Sequence, residues 1–224
     1  MSTIGRLNET SLHEQLKYVY AGQRGLVEQL VDGFVVDVLV GNEIVEVQTG
    51  SMLRLRRKLE HLVTRHTVRI VHPIAARTRI VKTSPGGEFV SSRRSPKRGR
   101  LEEAFREITS IADLLPHRNI VVDLVMVSVV EIRCDDGRGS WRRRGVSVVE
   151  RKLDNIEETI TLASPDDYVA MLPDCAGDQF TNRDLCTCSG LPYRIVQPMT
   201  SSLRKMGLLA VCGRRAREQL FARV

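Results

Sequence analysis

Leu12, Leu16 and Val19 recur at helical spacing in SLHEQLKYVYA, which predicts a first helix closed by Gly22 and Gly25. The next stretch, LVEQLVDGFVVDVLVGNEIVEVQTG, is rich in Val and Ile. Its Gly41-Asn42 pair predicts a tight hairpin between Phe34–Val40 and Glu43–Gln48. MLRLRRKLEHLVTRH then gathers Leu55, Leu59, Leu62 and Val63 on one helical face, with arginines around the rest. VRIVHPIA and TRIVKT read as two strands, SPGGEFVSSRRSPKRGR as a turn plus a basic loop, and LEEAFREITSIADLL as a helix. IVVDLVMVSVVEIR and VSVVERKLDNIEET read as strands flanking the loop DDGRGSWRRRG. This alternation predicts an α/β fold built on a mixed sheet.

The pattern changes near residue 160, so two units are expected, residues 1–160 and 161–224. Ser164-Pro165 opens a short helix that Pro173 ends, and Thr181 with Asp184 has the spacing of a capping box. A second helix ends at Ser189-Gly190, Pro192 opens a third, and Gly207 fits its C-cap. LLAVCG and EQLFARV predict a closing hairpin around GRRAR. Pro198 falls inside the third helix, where it removes a hydrogen bond and either bends the helix or moves its start.

A net charge of +7 over 224 residues conceals a strong asymmetry. Residues 1–50 hold 3 basic and 7 acidic residues, whereas residues 51–100 hold 14 basic and 2 acidic. An acidic block beside a basic one suits a site in which carboxylates gather a cation and arginines hold a polyanion. No apolar run is long enough for a membrane span and the N-terminus lacks a signal-peptide layout, so a cytoplasmic location with no membrane partner is expected. The five cysteines have no framework spacing and are expected as free thiols. Cys186 and Cys188 point to different faces of a helix, without a second pair or a nearby His, so zinc is not expected.

Asp37 and Glu46 lie on strands joined by a tight turn, and Glu46 and Gln48 alternate onto one face. Two carboxylates on one sheet edge suit Mg²⁺ or Mn²⁺ and metal-assisted phosphodiester hydrolysis. The helix–hairpin–helix–strand order, with Asp37 and Glu46-Val47-Gln48, resembles the PD-(D/E)XK nuclease superfamily over about residues 10–85. The resemblance implies a restriction-endonuclease-like mixed sheet flanked by helices. It also implies Asp37 and Glu46 as metal ligands, Glu14 as an auxiliary ligand, and Gln48 at the position the family gives to lysine. Gln48 cannot supply lysine's charge. Lys58 on the following helix is the candidate replacement, with Lys82 the second choice, and Asp32 competes with Asp37 as first ligand unless Asp32-Gly33 is a turn.

Nucleic-acid contacts are expected from Arg54 and Arg57 on the helix after Gln48, from Arg93, Arg94, Lys97, Arg98 and Arg100, and from Arg142, Arg143 and Arg144 beside Trp141, the single tryptophan. The three helices and hairpin at the end resemble a winged helix-turn-helix over about residues 165–224. That likeness implies Tyr193, Arg194, Gln197, Ser201 and Arg204 on or near a recognition helix, and Arg214, Arg215 and Arg217 on a wing. The combined reading is a metal-dependent DNA endonuclease with a DNA-binding winged helix. The alternatives are a non-catalytic DNA-binding or regulatory protein on a degenerate nuclease scaffold, and a winged-helix protein-interaction adaptor. The sequence leaves a homodimer open.

Overall fold

In the computed structural model, which describes residues 11–224, helix α1 (Ser11–Ala21) presses Leu12, Leu16 and Ala21 onto one face of a large sheet. The Val- and Ile-rich stretch folds as three strands rather than one hairpin: β1 (Leu26–Val31), β2 (Phe34–Val40) and β3 (Glu43–Val47). Asp32 and Gly33, at φ 47° and 84°, make the two-residue β1–β2 loop, and Gly41, at φ 60°, begins the β2–β3 loop. Positive φ at these places matches the twist of the flanking strands. β1 escapes the sequence pattern because it is an edge strand whose residues alternate between exposed and half-buried.

A 3₁₀ turn (Met52–Leu55), capped by the Ser51 side chain, leads into α2 (Arg56–Leu62), which returns the chain so that β4 (Thr67–Thr83) runs parallel to β3. β4 is one strand of 17 residues where two strands were expected. Pro73 is tolerated inside it because the ladder to β3 ends there. Gln48 N–H donates to Val71 O at 2.8 Å, and the next donor in register would be residue 73, which as proline has none. His72 Nδ1 meets the Gln48 carbonyl instead at 2.7 Å. Burial lowers the His72 pKa, so the imidazole is neutral, with its proton on the nitrogen that donates.

β5 (Phe89–Arg94) pairs antiparallel with the far end of β4, which places Arg93 and Arg94 on a strand rather than in the expected loop. The helix expected over residues 101–115 is reduced to a 3₁₀ turn and the four-residue α3 (Phe105–Ile108). Thr109 and Ser110 turn their hydroxyls back onto the carbonyls of Phe105 and Glu107, and the backbone continues with the tighter bonds Ser110→Glu107 and Ile111→Ile108. β6 (Ile120–Asp135) is parallel to β4, and β7 (Val146–Leu162) is antiparallel to β6. The sheet order is β1-β2-β3-β4-β6-β7, with β5 beside β4. The result is an α/β architecture with a large mixed sheet flanked by helices. One face packs Val38, Val45, Val71 and Val125 under α1. The other packs Ile44, Ile70, Val122 and Leu124 under α2 and α3. Burial on both faces explains the continuous runs of Val and Ile.

After β7 come α4 (Pro165–Ala170), β8 (Gln179–Phe180), α5 (Asn182–Ser189), α6 (Tyr193–Lys205), β9 (Leu209–Arg215) and β10 (Glu218–Arg223). Both capping boxes, Ser164–Asp167 and Thr181–Asp184, are formed. The small sheet has the order β8-β10-β9. α6 continues through Pro198, and its Ser202 hydroxyl meets the Thr109 hydroxyl at 2.7 Å, while Lys205 Nζ donates to Thr109 O at 2.8 Å. Leu185, Val196, Met199 and Leu203 belong to the same buried cluster as Phe105 and Ile108. Cys175 and Cys188 are joined in a disulfide, which corrects the expectation of free thiols throughout; Cys134, Cys186 and Cys212 are free. The α5 turn brings the Cys188 Cα to 5.9 Å from that of Cys175, a proximity that spacing along the chain does not reveal.

A buried carboxylate ties the layers together. Asp123 on β6 accepts from Tyr20 Oη of α1 at 3.0 Å, Thr161 Oγ1 of β7 at 2.8 Å and Arg69 Nη1 of β4 at 3.0 Å. Asp123→Ala strands the buried side of Arg69 and is expected to destabilise the fold by about 3 kcal/mol, read as a lower urea midpoint.

Candidate functional site

Strands β2 and β3 pair only from Val38↔Val45 to Val40↔Glu43. At Asp37 they part, and side chains take over the hydrogen bonds of the ladder. Val47 N–H donates to Asp37 Oδ2 at 2.8 Å, and Asp37 N–H donates to Glu46 Oε1 at 3.3 Å. Val36 and Val38, two residues apart, should face the same way. Instead Val36 joins the core under α2 and Val38 the core under α1, so β2 changes face at Asp37. On β1, Glu28 lies between the pairs Val27↔Val38 and Gln29↔Val36 and takes φ 55°, so the neighbouring strand is also distorted there.

Each carboxylate is held by a base from a different side of the sheet. Lys58, on α2, donates from Nζ to Glu46 Oε1 and to Val35 O, both at 2.7 Å. His13, on α1, places Nε2 3.2 Å from Asp37 Oδ2. The four side chains form a line through the sheet: His13, Asp37, Glu46, Lys58. Burial pushes Glu46 up to about 7, aided by the Asp37 charge and opposed by Lys58. Burial also acts on Asp37, but the hydrogen bond and charge of His13, the Val47 amide and Lys58 outweigh it and hold its pKa below the usual carboxylate range. The pair is therefore split, with one carboxylate firmly ionised and one titrating near neutrality.

Asp37 Oδ1 and Glu46 Oε2 have no hydrogen-bond partner among the described residues, so each carboxylate keeps one oxygen available. Among the described residues no cluster of three or more His, Cys, Asp or Glu is arranged around a metal position. Two carboxylate oxygens nonetheless fit a hydrated divalent cation, since Mg²⁺ keeps most of its waters and is commonly held by one or two carboxylates.

Glu14 does not join this group. It is exposed, and the α1 residue that meets Asp37 is His13. The signal was present in the sequence: the Leu12–Leu16 stripe points at the sheet, which turns position 14 outward and position 13 toward the strand edge. Gln48 follows the end of β3, half-buried, with its backbone bonded to Val71 and His72. Asp32 sits in the β1–β2 turn, 3.5 Å from His66 and 3.8 Å from Arg65, away from Asp37's partners. Lys82 lies far along β4, 3.9 Å from Asp135. Arg54 and Arg57 are exposed on the segment that carries Lys58, as are Arg93, Arg94, Lys97, Arg98, Arg100, Arg142, Arg143 and Arg144 elsewhere. Arg194, Arg204 and Arg214 are also exposed, but Arg215 donates to Asp184 at 2.8 Å and its charge is partly spent there.

The architecture is thus a mixed α/β sheet with an acidic pair where two of its strands part. Residues 10–163 match the family described as "Domain of unknown function (DUF8091)", and the chain belongs to that family; the match ends one residue past β7. An "Uncharacterized protein" of Treponema pallidum (strain Nichols) is 29% identical over 221 residues, covering 98% of this chain and 87% of the relative. No solved structure matches. No helix among the described residues is long and apolar enough to cross a membrane.

The Glu46 environment predicts a pH dependence. Folding raises its pKa from 4.5 to about 7, so the folded state holds the proton more tightly and stability falls as pH rises through that window. Glu46→Gln removes this contribution. In chelator-containing buffer the variant should gain stability relative to wild type between about pH 5 and 7, read from paired denaturation midpoints, whereas parallel pH profiles would contradict the assignment.

Proposed function

We propose that this protein is a metal-dependent DNA nuclease whose active centre is the Asp37–Glu46 pair. The observation that carries the reading is Lys58, which reaches the buried Glu46 from α2 at the place where Asp37 interrupts the β2–β3 ladder. The succession α1-β1-β2-β3-α2-β4, three antiparallel strands followed by a parallel one, supports the likeness to the PD-(D/E)XK superfamily. A divalent cation at such a pair activates water and neutralises charge building on a scissile phosphate. His13 fixes the Asp37 carboxylate and Lys58 fixes Glu46 Oε1, which leaves Asp37 Oδ1 and Glu46 Oε2 as the atoms that would hold the cation. Arg54 and Arg57, exposed beside Lys58, are placed to hold phosphates of the substrate.

The C-terminal segment, read as a winged helix, supplies further DNA contacts. Tyr193, Gln197, Ser201 and Arg204 of α6 share a shallow cleft of about 300 Å³ with Arg217 of the β9–β10 turn, as a recognition helix and wing would. A homodimer would let two such centres act on two strands. One observation favours the second reading, a DNA-binding protein without catalysis: Gln48 stands where the PD-(D/E)XK superfamily that the chain resembles has lysine, and Lys58 is engaged by Glu46 and Val35 O.

The test is cleavage of labelled linear, nicked, branched and single-stranded DNA with Mg²⁺ or Mn²⁺. Wild type is expected to cut, and Asp37→Ala and Glu46→Ala to lose about 100-fold or more while salt-sensitive binding persists. Binding without cleavage in every case would leave the non-catalytic reading.

A further inference from the structure

The far halves of β4, β6 and β7, with β5, run beyond the helices as a basic arm. On the α1 face a groove of about 410 Å³ follows this arm. Leu12 and Thr49, next in sequence to His13 and Gln48, line it together with Lys97, Arg151 and Arg143. Two acids also line it, Glu103 and Glu131, and Glu131 is held by Arg133 at 2.6 Å and Arg151 at 2.8 Å. Thr78 and Ser95 are shared with an adjoining cleft of about 550 Å³. Within that cleft Arg77 and Arg79 face Glu157 and Asp154, whereas Arg94 and Arg98 have no carboxylate partner among the described residues. Lys97, Arg143, Arg94 and Arg98, which have no carboxylate partner among the described residues, therefore line two adjoining clefts.

At its tip, one residue before Arg142 and two before Arg143, stands Trp141, 83% exposed. Arg142 lies over its ring at 5.6 Å from the centroid and so backs one side of the indole while most of the ring remains open. The loop that presents it is tightly built. Gly139 N–H donates to Gly145 O at 2.8 Å, and a side chain at Gly139 would meet Val146 O at 1.9 Å. Asp136 accepts from Arg138 N–H at 3.0 Å and Ser147 Oγ at 2.9 Å. A large aromatic held out into solvent on a closed loop, among arginines, has no packing role in this fold.

We propose that the arm binds single-stranded nucleic acid, with Trp141 stacking on an unpaired base, and with Lys97 and Arg143 of the groove and Arg94 and Arg98 of the adjoining cleft contacting the phosphates of the strand. An indole face accepts the face of a base, which a duplex keeps covered by its neighbours; arginines in series accept the backbone. Thr49, which lines the groove, follows Glu46 by three residues in the chain. The inference deepens the nuclease reading and rests on it for the fate of the strand, but binding at the arm does not require cleavage.

Because Trp141 is the single tryptophan, its fluorescence reports the site directly. Full-length protein in chelating buffer is titrated with oligo(dT), a matched duplex, inorganic polyphosphate and vesicles containing anionic lipid. Oligo(dT) should quench the emission and bind more tightly than the duplex. Polyphosphate should compete, in a salt-dependent way, without comparable quenching. By a non-fluorescent binding assay, Trp141→Phe should retain affinity within a few-fold and Trp141→Ala should lose about tenfold. Arg143→Ala should lower the salt dependence. Quenching equal for polyphosphate and oligo(dT), an unresponsive Trp141 with saturated oligo(dT), or a blue-shifted response to vesicles alone would overturn the proposal. Quenching by a protein that cuts nothing would sink the nuclease reading only; cutting that needs Asp37 but ignores Trp141 would sink this one only.

Discussion

The departure of β2 from β3 at Asp37 is the constraint on which the rest of the site depends. Val47 N–H, which a continued ladder would have paired with Val36, is satisfied by Asp37, and Asp37 N–H is satisfied by Glu46. A half-made exchange would leave a buried amide without a partner, so the two acids act as one structural unit. The unit brings negative charge into a site where Glu46 is only 2% exposed, and burial of that kind calls for compensation. Lys58 and His13 provide it from opposite faces, which fixes where α2 and α1 must lie.

The same economy of partners governs the neighbouring strands. Pro73 ends the β3–β4 ladder, and His72 replaces the missing donor at Gln48 O, so the residue after the acidic strand is held without a lysine. Asp123 joins α1, β4 and β7 one strand further in, and it anchors Arg69, which also reaches Glu43 at the start of β3. β3 is thereby pinned at both ends. Past that point the helices stop, and β4 to β7 continue as an arm whose charges are only partly paired.

Much of the large sheet was legible in the chain. Gly41-Asn42, the Val and Ile runs and both capping boxes translate directly into local geometry, and the turn between Asp37 and Glu46 makes their adjacency readable. Lys58 was reachable by helical spacing from a buried Leu55–Leu59 stripe. Other features depend on partners that no local pattern records. β1 is half-exposed on both sides, so it lacks a clean period; β4 keeps one direction through Pro73 only because β3 ends beside it. α3 is shortened by the hydroxyls of Thr109 and Ser110. The sequence pattern favours acidic Glu14 over its neighbour His13, and the Cys175–Cys188 bridge depends on how α5 returns toward the preceding loop.

The central claim is that Asp37 and Glu46 together hold a divalent cation through the oxygens their neighbours leave available. Paramagnetic Mn²⁺ tests this without reference to any substrate. In an amide NMR spectrum, low Mn²⁺ should broaden Asp37, Val47 and Gln48 first, and should cease to do so in Asp37→Asn and in Glu46→Gln while both variants keep the wild-type spectrum elsewhere. Broadening that begins at other acidic residues, or that is unchanged in both variants, would contradict the account.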